Sequence, residues 1–142
     1  MRIFVAGCLI GCLSMCMGCG SDMPETVNVT GKVTLNGQAP PGPGIVYFLP
    51  TEAAEGFPLR PGTGDFGADG IYHTTTFKPN DGLMPGKYNV SIECWQQAPN
   101  MEGKAVKSYI PKKYQTAETS GFTLDVEPRS RSLEKDFDLV TP

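Results

Sequence analysis

The sequence predicts an all-β protein, an export signal followed by a β-sandwich of about seven strands. Three observations lead there. Apolar residues recur at every second position in several short segments. Seventeen glycines and 13 prolines among 142 residues fall between those segments as turn punctuation. No segment carries an amphipathic helical pattern of convincing length.

Val27, Val29, Gly31, Val33 and Leu35 alternate with Asn28, Thr30, Lys32 and Thr34. This is a strand with one buried face, and Asn36-Gly37 then supplies a hairpin-type turn. Gly42-Pro43-Gly44 leads into the apolar run from Ile45 to Leu49, expected to be a central strand. Tyr47 and Phe48 in that run point to opposite faces, and two packed sheets would cover both. Pro50 ends it, and Thr51 to Gly64 reads as a long exposed loop. After the turn Ala68-Asp69-Gly70, a threonine-rich strand runs from Ile71 to Phe77, with Ile71 and His73 on one face and Tyr72 and Thr74 on the other. The turn-dense passage Asn80 to Gly86 precedes the clearest half-buried strand, in which Tyr88, Val90, Ile92 and Cys94 alternate with polar neighbours. Gln96 to Ser108 reads as a second loop. Phe122, Leu124 and Val126 mark a further strand, and Leu133 to Val140 the last, with Phe137 and Leu139 inward.

The N-terminus has a different character. Arg2 precedes an uncharged, largely apolar run from Ile3 to Gly18, 16 residues long, short of the ~20 that a spanning helix needs. A charged start, an apolar middle and a small-residue end make a secretory signal over residues 1–18. Met17-Gly18-Cys19, followed by Gly20-Ser21, resembles the bacterial lipobox, in which a small residue precedes the cysteine that receives diacylglyceride; Cys16 stands where leucine is usual. Leu9-Ile10-Gly11-Cys12 fits the residue pattern better but leaves a short apolar core and an apolar mature start, so Cys19 is the expected lipidation site and Cys12 the alternative. Plain secretion after a cut near Gly18 keeps the compartment without the anchor. The expected organisation is therefore signal 1–18, lipidated cysteine and tether 19–26, and β-sandwich domain 27–142. Four of the five cysteines (Cys8, Cys12, Cys16, Cys19) lie in or next to the signal and only Cys94 in the body, which leaves no disulfide framework.

With Arg2 removed, 11 basic residues face 15 acidic ones, a net charge of −4. That balance argues against nucleic acid, which requires a basic face. Lys104, Lys107, Lys112 and Lys113 read as a solvated face, and the sequons at Asn28 and Asn89 lie within strands.

The motifs Val29-Thr30-Gly31-Lys32-Val33-Thr34-Leu35-Asn36-Gly37, Val46-Tyr47-Phe48, Asp69-Gly70-Ile71-Tyr72 and Leu83-Met84-Pro85-Gly86-Lys87-Tyr88-Asn89-Val90, in that order, resemble the carboxypeptidase regulatory-like domain. Tyr109-Ile110-Pro111-Lys112-Lys113-Tyr114, Thr119-Ser120-Gly121-Phe122-Thr123 and Phe137-Asp138-Leu139 are similar to the ending of small lipoproteins of the planctomycete type. The resemblance implies a transthyretin-like Greek-key sandwich over Val27 to Leu139. Gly67 stands where that family often has the first Asp of Asp-x-Asp-Gly. Asp65 and Asp69 alone offer too few oxygens for calcium, so no metal is expected and Asp69-Gly70 reads as a turn.

No catalytic residue is assigned. His73 is the sole histidine, with no accompanying nucleophile elbow, zinc motif or phosphate loop. Cys94, on the apolar face, reads as an inert core thiol. Trp95, with Tyr109 and Tyr114, is the expected ligand contact, as aromatic faces stack on sugars or peptides. The function expected is a non-enzymatic, lipid-anchored envelope lipoprotein, attached to the cell membrane or outer membrane and facing the periplasm or exterior. It has no cofactor, and its partners are the membrane and an envelope protein or glycan. Two alternatives stand beside it: an assembly subunit of a larger envelope complex, and a transthyretin-like hydrolase. Enzymes of the latter kind rely on several histidines and a Tyr-Arg-Gly-Ser ending, whereas this chain ends Leu139-Val140-Thr141-Pro142.

Overall fold

The computed structural model describes residues 23–97 and 100–142; the expected export signal, with Cys12 and Cys19, lies outside the described residues. The strands are β1 (Asn28–Leu35), β2 (Gly44–Ala53), β3 (Gly62–Phe66), β4 (Ile71–Thr75), β5 (Gly86–Gln97), β6 (Lys107–Ser108), β7 (Phe122–Val126), β8 (Ser132–Glu134) and β9 (Phe137–Leu139). A 3₁₀ turn at Lys112–Tyr114 and the single-turn helix α1 (Ala117–Ser120) lie between β6 and β7. Among the described residues no helix is long and apolar enough to cross a membrane.

All nine strands join one mixed sheet in the order β6-β5-β2-β3-β4-β1-β8, with β7 also on β5 and β9 also on β1. β2, β3 and β4 follow one another as antiparallel neighbours, and β5 returns to lie beside β2. That spatial order, 5-2-3-4, is a Greek key. Only β8 and β9 run parallel to their partner, β1. The sheet curls until its two ends meet, where the ring of Phe122 on β7 lies 5.1 Å from that of Phe137 on β9. The inner face thus packs against itself as the two layers of a sandwich around one core.

Alternation builds that core. Val29 and Val33 of β1, Val46 and Phe48 of β2, Tyr72 of β4, and Tyr88, Val90, Ile92 and Cys94 of β5 all point inward and are buried. Phe137 sits among Phe48, Tyr72 and Phe122, at centroid distances of 6.3, 6.0 and 5.1 Å. Each such side chain contributes about 1.5–3 kcal/mol by leaving water. The polar atoms that enter with them are paired. Tyr72 donates to the Lys135 carbonyl, and Tyr88 to the Met84 carbonyl at 2.7 Å. The Thr74 hydroxyl accepts from the Val29 N–H and donates to the Val29 carbonyl. Burial raises the phenol of Tyr72, with Asp136 adding to the effect, and pushes that of Tyr88 up to about 12.

Three expectations change. The described residues hold nine strands rather than about seven: β3 begins within the expected loop 51–64 and runs on to Phe66, β6 lies inside the loop 96–108, and the last strand is divided into β8 and β9. β2 is buried on one face only: Val46 and Phe48 are covered, while Ile45 and Tyr47 are half-buried and Leu49 is exposed. Two separate sheets are not needed, since one sheet bent over itself leaves a single wet outer face.

The strands define two poles. β1 begins at the tether pole, where Val27 and Leu83 exchange backbone hydrogen bonds of 2.8 and 2.9 Å. Antiparallel pairing brings the 54–61, 76–85 and 127–131 connections to the same end. The distal pole carries the turns at 36–43 and 67–70 and the connection that follows β5.

Candidate functional site

The outer face of β5, β2 and β3 combines aromatic and acidic groups. The cross-strand register aligns Glu93, Ile45, Asp65, His73, Thr30 and Glu134 as successive partners across six strands. Partners in a ladder share a face, so Ile45 is flanked by the carboxylates of Glu93 and Asp65, two strand spacings or about 10 Å apart. Tyr47 lies one pleat further along β2. Its partial burial raises the phenol above its ordinary value, and the nearby Glu93, by charge and hydrogen bond, and Asp65, by charge, raise it further.

Trp95 closes this face toward the distal pole. It is half-buried and paired in register with Ser108 of β6. Beside it a groove of about 480 Å³ is lined by Pro43, Gly44, Ile45, Asp65, Phe66 and Trp95, with Gln96 at its rim. An indole, an isoleucine and a carboxylate around one groove can receive the apolar face of a ring while accepting hydrogen bonds from its hydroxyl or amine substituents.

Two of the three expected aromatics meet here. Tyr109 is partly exposed, its N–H donates to the Cys94 carbonyl at 2.9 Å, and its ring closes over Gly42. A Cβ at Gly42 would lie 3.3 Å from that ring and 3.8 Å from the Trp95 carbonyl, so Trp95 and Tyr109 border the same turn. Tyr114 is separated from them. It is 5% exposed, and its ring is stacked on Phe122 at 5.3 Å and 9°. The Tyr114 hydroxyl accepts from the Val140 N–H at 3.0 Å. The structure makes Tyr114 part of the seam that holds the C-terminus, because it ends a 3₁₀ turn and its ring faces Phe122 of β7.

Cys94 is fully buried, burial pushes its thiol up, and the thiol donates to the Gly42 carbonyl at 3.4 Å. His73 stands exposed on the outer face between Asp65 and Thr30. Asp69 caps its own turn by accepting from the Ile71 N–H at 3.1 Å, and Gly70 takes φ 76° there. Among the described residues no group of three His, Cys, Asp or Glu side chains is placed to hold a metal ion. Ile45, Tyr47, Asp65 and Glu93 were not foreseen as site residues. Only the register brings them together, and the signal for it would have been recognising β3. Comparison with family models, with curated proteins and with solved structures returns no match for this chain.

Proposed function

We propose that the chain is a non-enzymatic, lipid-anchored envelope lipoprotein whose sandwich presents the Trp95 groove to a partner outside the cytoplasm. The lipobox-like Met17-Gly18-Cys19 after a short apolar signal carries the anchor. The groove between Trp95, Ile45 and Asp65 carries the binding role. It suits the sugar rings or peptides of an envelope glycan or protein, since aromatic contacts and carboxylate acceptors serve both. His73 is an isolated imidazole on an open face, a weak basis for nucleophilic or general base chemistry. The motif resemblance to carboxypeptidase regulatory-like lipoproteins agrees with this role.

Mass spectrometry of the mature N-terminus from bacterial membranes tests the anchor. The expected result is an acylated Cys19 and release of a Cys19→Ser variant into the soluble fraction. An unmodified start, or unchanged membrane partition of the variant, overturns it.

A further inference from the structure

Three connections converge at the tether pole, and they carry exposed apolar and basic side chains. Leu59 is 55% exposed and Phe77 37%. The Arg60 guanidinium lies 5.8 Å from the centre of the Phe77 ring, joining the 54–61 and 76–85 connections. Lys78, Arg129 and Arg131 are exposed on the same pole, so every arginine of the described chain is there. Glu25 of the tether, Glu55, Phe57, Glu127 and Arg129 border a common hollow of about 550 Å³, which places the tether among these loops.

We propose that this pole docks on the surface of a phospholipid bilayer, with Leu59 and Phe77 entering the headgroup boundary. The inference rests on the anchor at Cys19 proposed above. Seven residues, 20–26, separate that cysteine from Val27, and a chain spans at most ~3.6 Å per residue. The pole that holds Val27 against Leu83 therefore stays within about 30 Å of an acyl chain attached at Cys19. Its apolar tips are the group that a nearby bilayer would cover. Its charge also fits. Arginines pair with phosphate through parallel N–H donors, and Glu25, Glu55 and Glu127 would meet the ammonium of a zwitterionic headgroup. Trp95 lies nine residues along β5 from Gly86, roughly 30 Å from this pole, so docking directs the groove away from the membrane.

The chain contains one tryptophan, which makes the test direct. The full lipoprotein is purified with its native N-terminus and reconstituted in vesicles of phosphatidylethanolamine and phosphatidylcholine brominated in the acyl chains. Bromine quenches indole fluorescence only at short range, and three proteins are compared: wild type, and the Leu59→Trp and Phe77→Trp variants, each in a Trp95→Phe background. Both substituted positions are exposed, and circular dichroism confirms the fold. Docking predicts several-fold stronger quenching at positions 59 and 77 than at Trp95. An acylated N-terminus with neither position quenched, or with Trp95 quenched instead, overturns docking and leaves the anchor standing. An unacylated N-terminus overturns the anchor, and with it the docking that depends on it.

Discussion

The tether pole and the distal pole are both made of connections between antiparallel strands, but they are secured differently. At the tether pole the 76–85 connection is bonded by backbone and side chain to distant parts of the chain. Val27 and Leu83 pair across 56 residues. The Asp81 carboxylate accepts from the N–H groups of Thr76, Phe77 and Lys78 at 2.7, 3.0 and 2.8 Å, and Thr26 donates to the Asp81 carbonyl. At the distal pole, side chains tie the 34–37 turn to the C-terminus, through Asn36 with Thr141 and Asp138 with Thr34 and Gly37. The 100–107 segment relies on short local contacts such as Asn100 with Glu102 and Lys104 with Glu102. A connection bonded to distant parts of the chain passes on the direction of whatever is attached to it, while a segment held by local contacts tolerates change. The difference suits the anchored end and the presenting end proposed above.

Two glycines test this contrast most severely, because both have positive φ. Gly82, at φ 96°, has its missing Cβ 2.2 Å from the Val27 carbonyl; Gly103, at φ 68°, has nothing within 4 Å. Gly82→Ala is expected to cost about 3 kcal/mol in urea unfolding, from strain and a clash together, and Gly103→Ala about 1 kcal/mol, from strain alone. Equal losses would break the comparison.

Acid should act on the distal pole through Asp138. Hydrogen bonds from Thr34, first, and the Gly37 N–H hold its carboxyl below the usual range. A carboxyl depressed in the folded state adds stability above its unfolded pKa of about 3.9 and loses it as pH falls through the lower folded value. The Asp138→Asn variant should therefore show a smaller fall in melting temperature below pH 4 than wild type. An unchanged fall would show that the turn does not depend on that charge. The smallest effect is expected from Glu102→Ala, which removes an exposed ion pair with Lys104 and should shift stability by less than about 0.5 kcal/mol.

Periodicity made β1, β5 and β7 legible, since each shows its buried face as alternate apolar residues, while β2 stood out as a continuous apolar run and β4 as a threonine-rich segment after a turn. β3 was hidden because the inward positions of Gly62-Thr63-Gly64-Asp65-Phe66 are mostly glycine. The room there is taken by neighbours: a Cβ at Gly62 would lie 2.2 Å from the Leu83 side chain, and one at Gly64 2.8 Å from the Tyr72 ring. The hydrophobic signal of β3 is thus supplied by other strands. For the candidate site, Trp95 was visible as a lone indole at a strand end, but its companions Ile45 and Asp65 depend on that unread strand. Tyr114 looked available because no period surrounds it, and the 3₁₀ turn that buries it has no strong sequence mark.

The parallel seating of β8 and β9 on β1 has a consequence for how the protein is made. Val29 pairs with Leu133 and Val33 with Phe137, so the first strand to be synthesised is completed by the last. Pairings so distant in sequence pay their loop-closure entropy before they return any stability. If the chain is exported as proposed above, N-terminus first, the sheet cannot close until residues 132–139 arrive. The interval before closure, with one edge of β1 open, is when the chain is most exposed to aggregation and proteolysis.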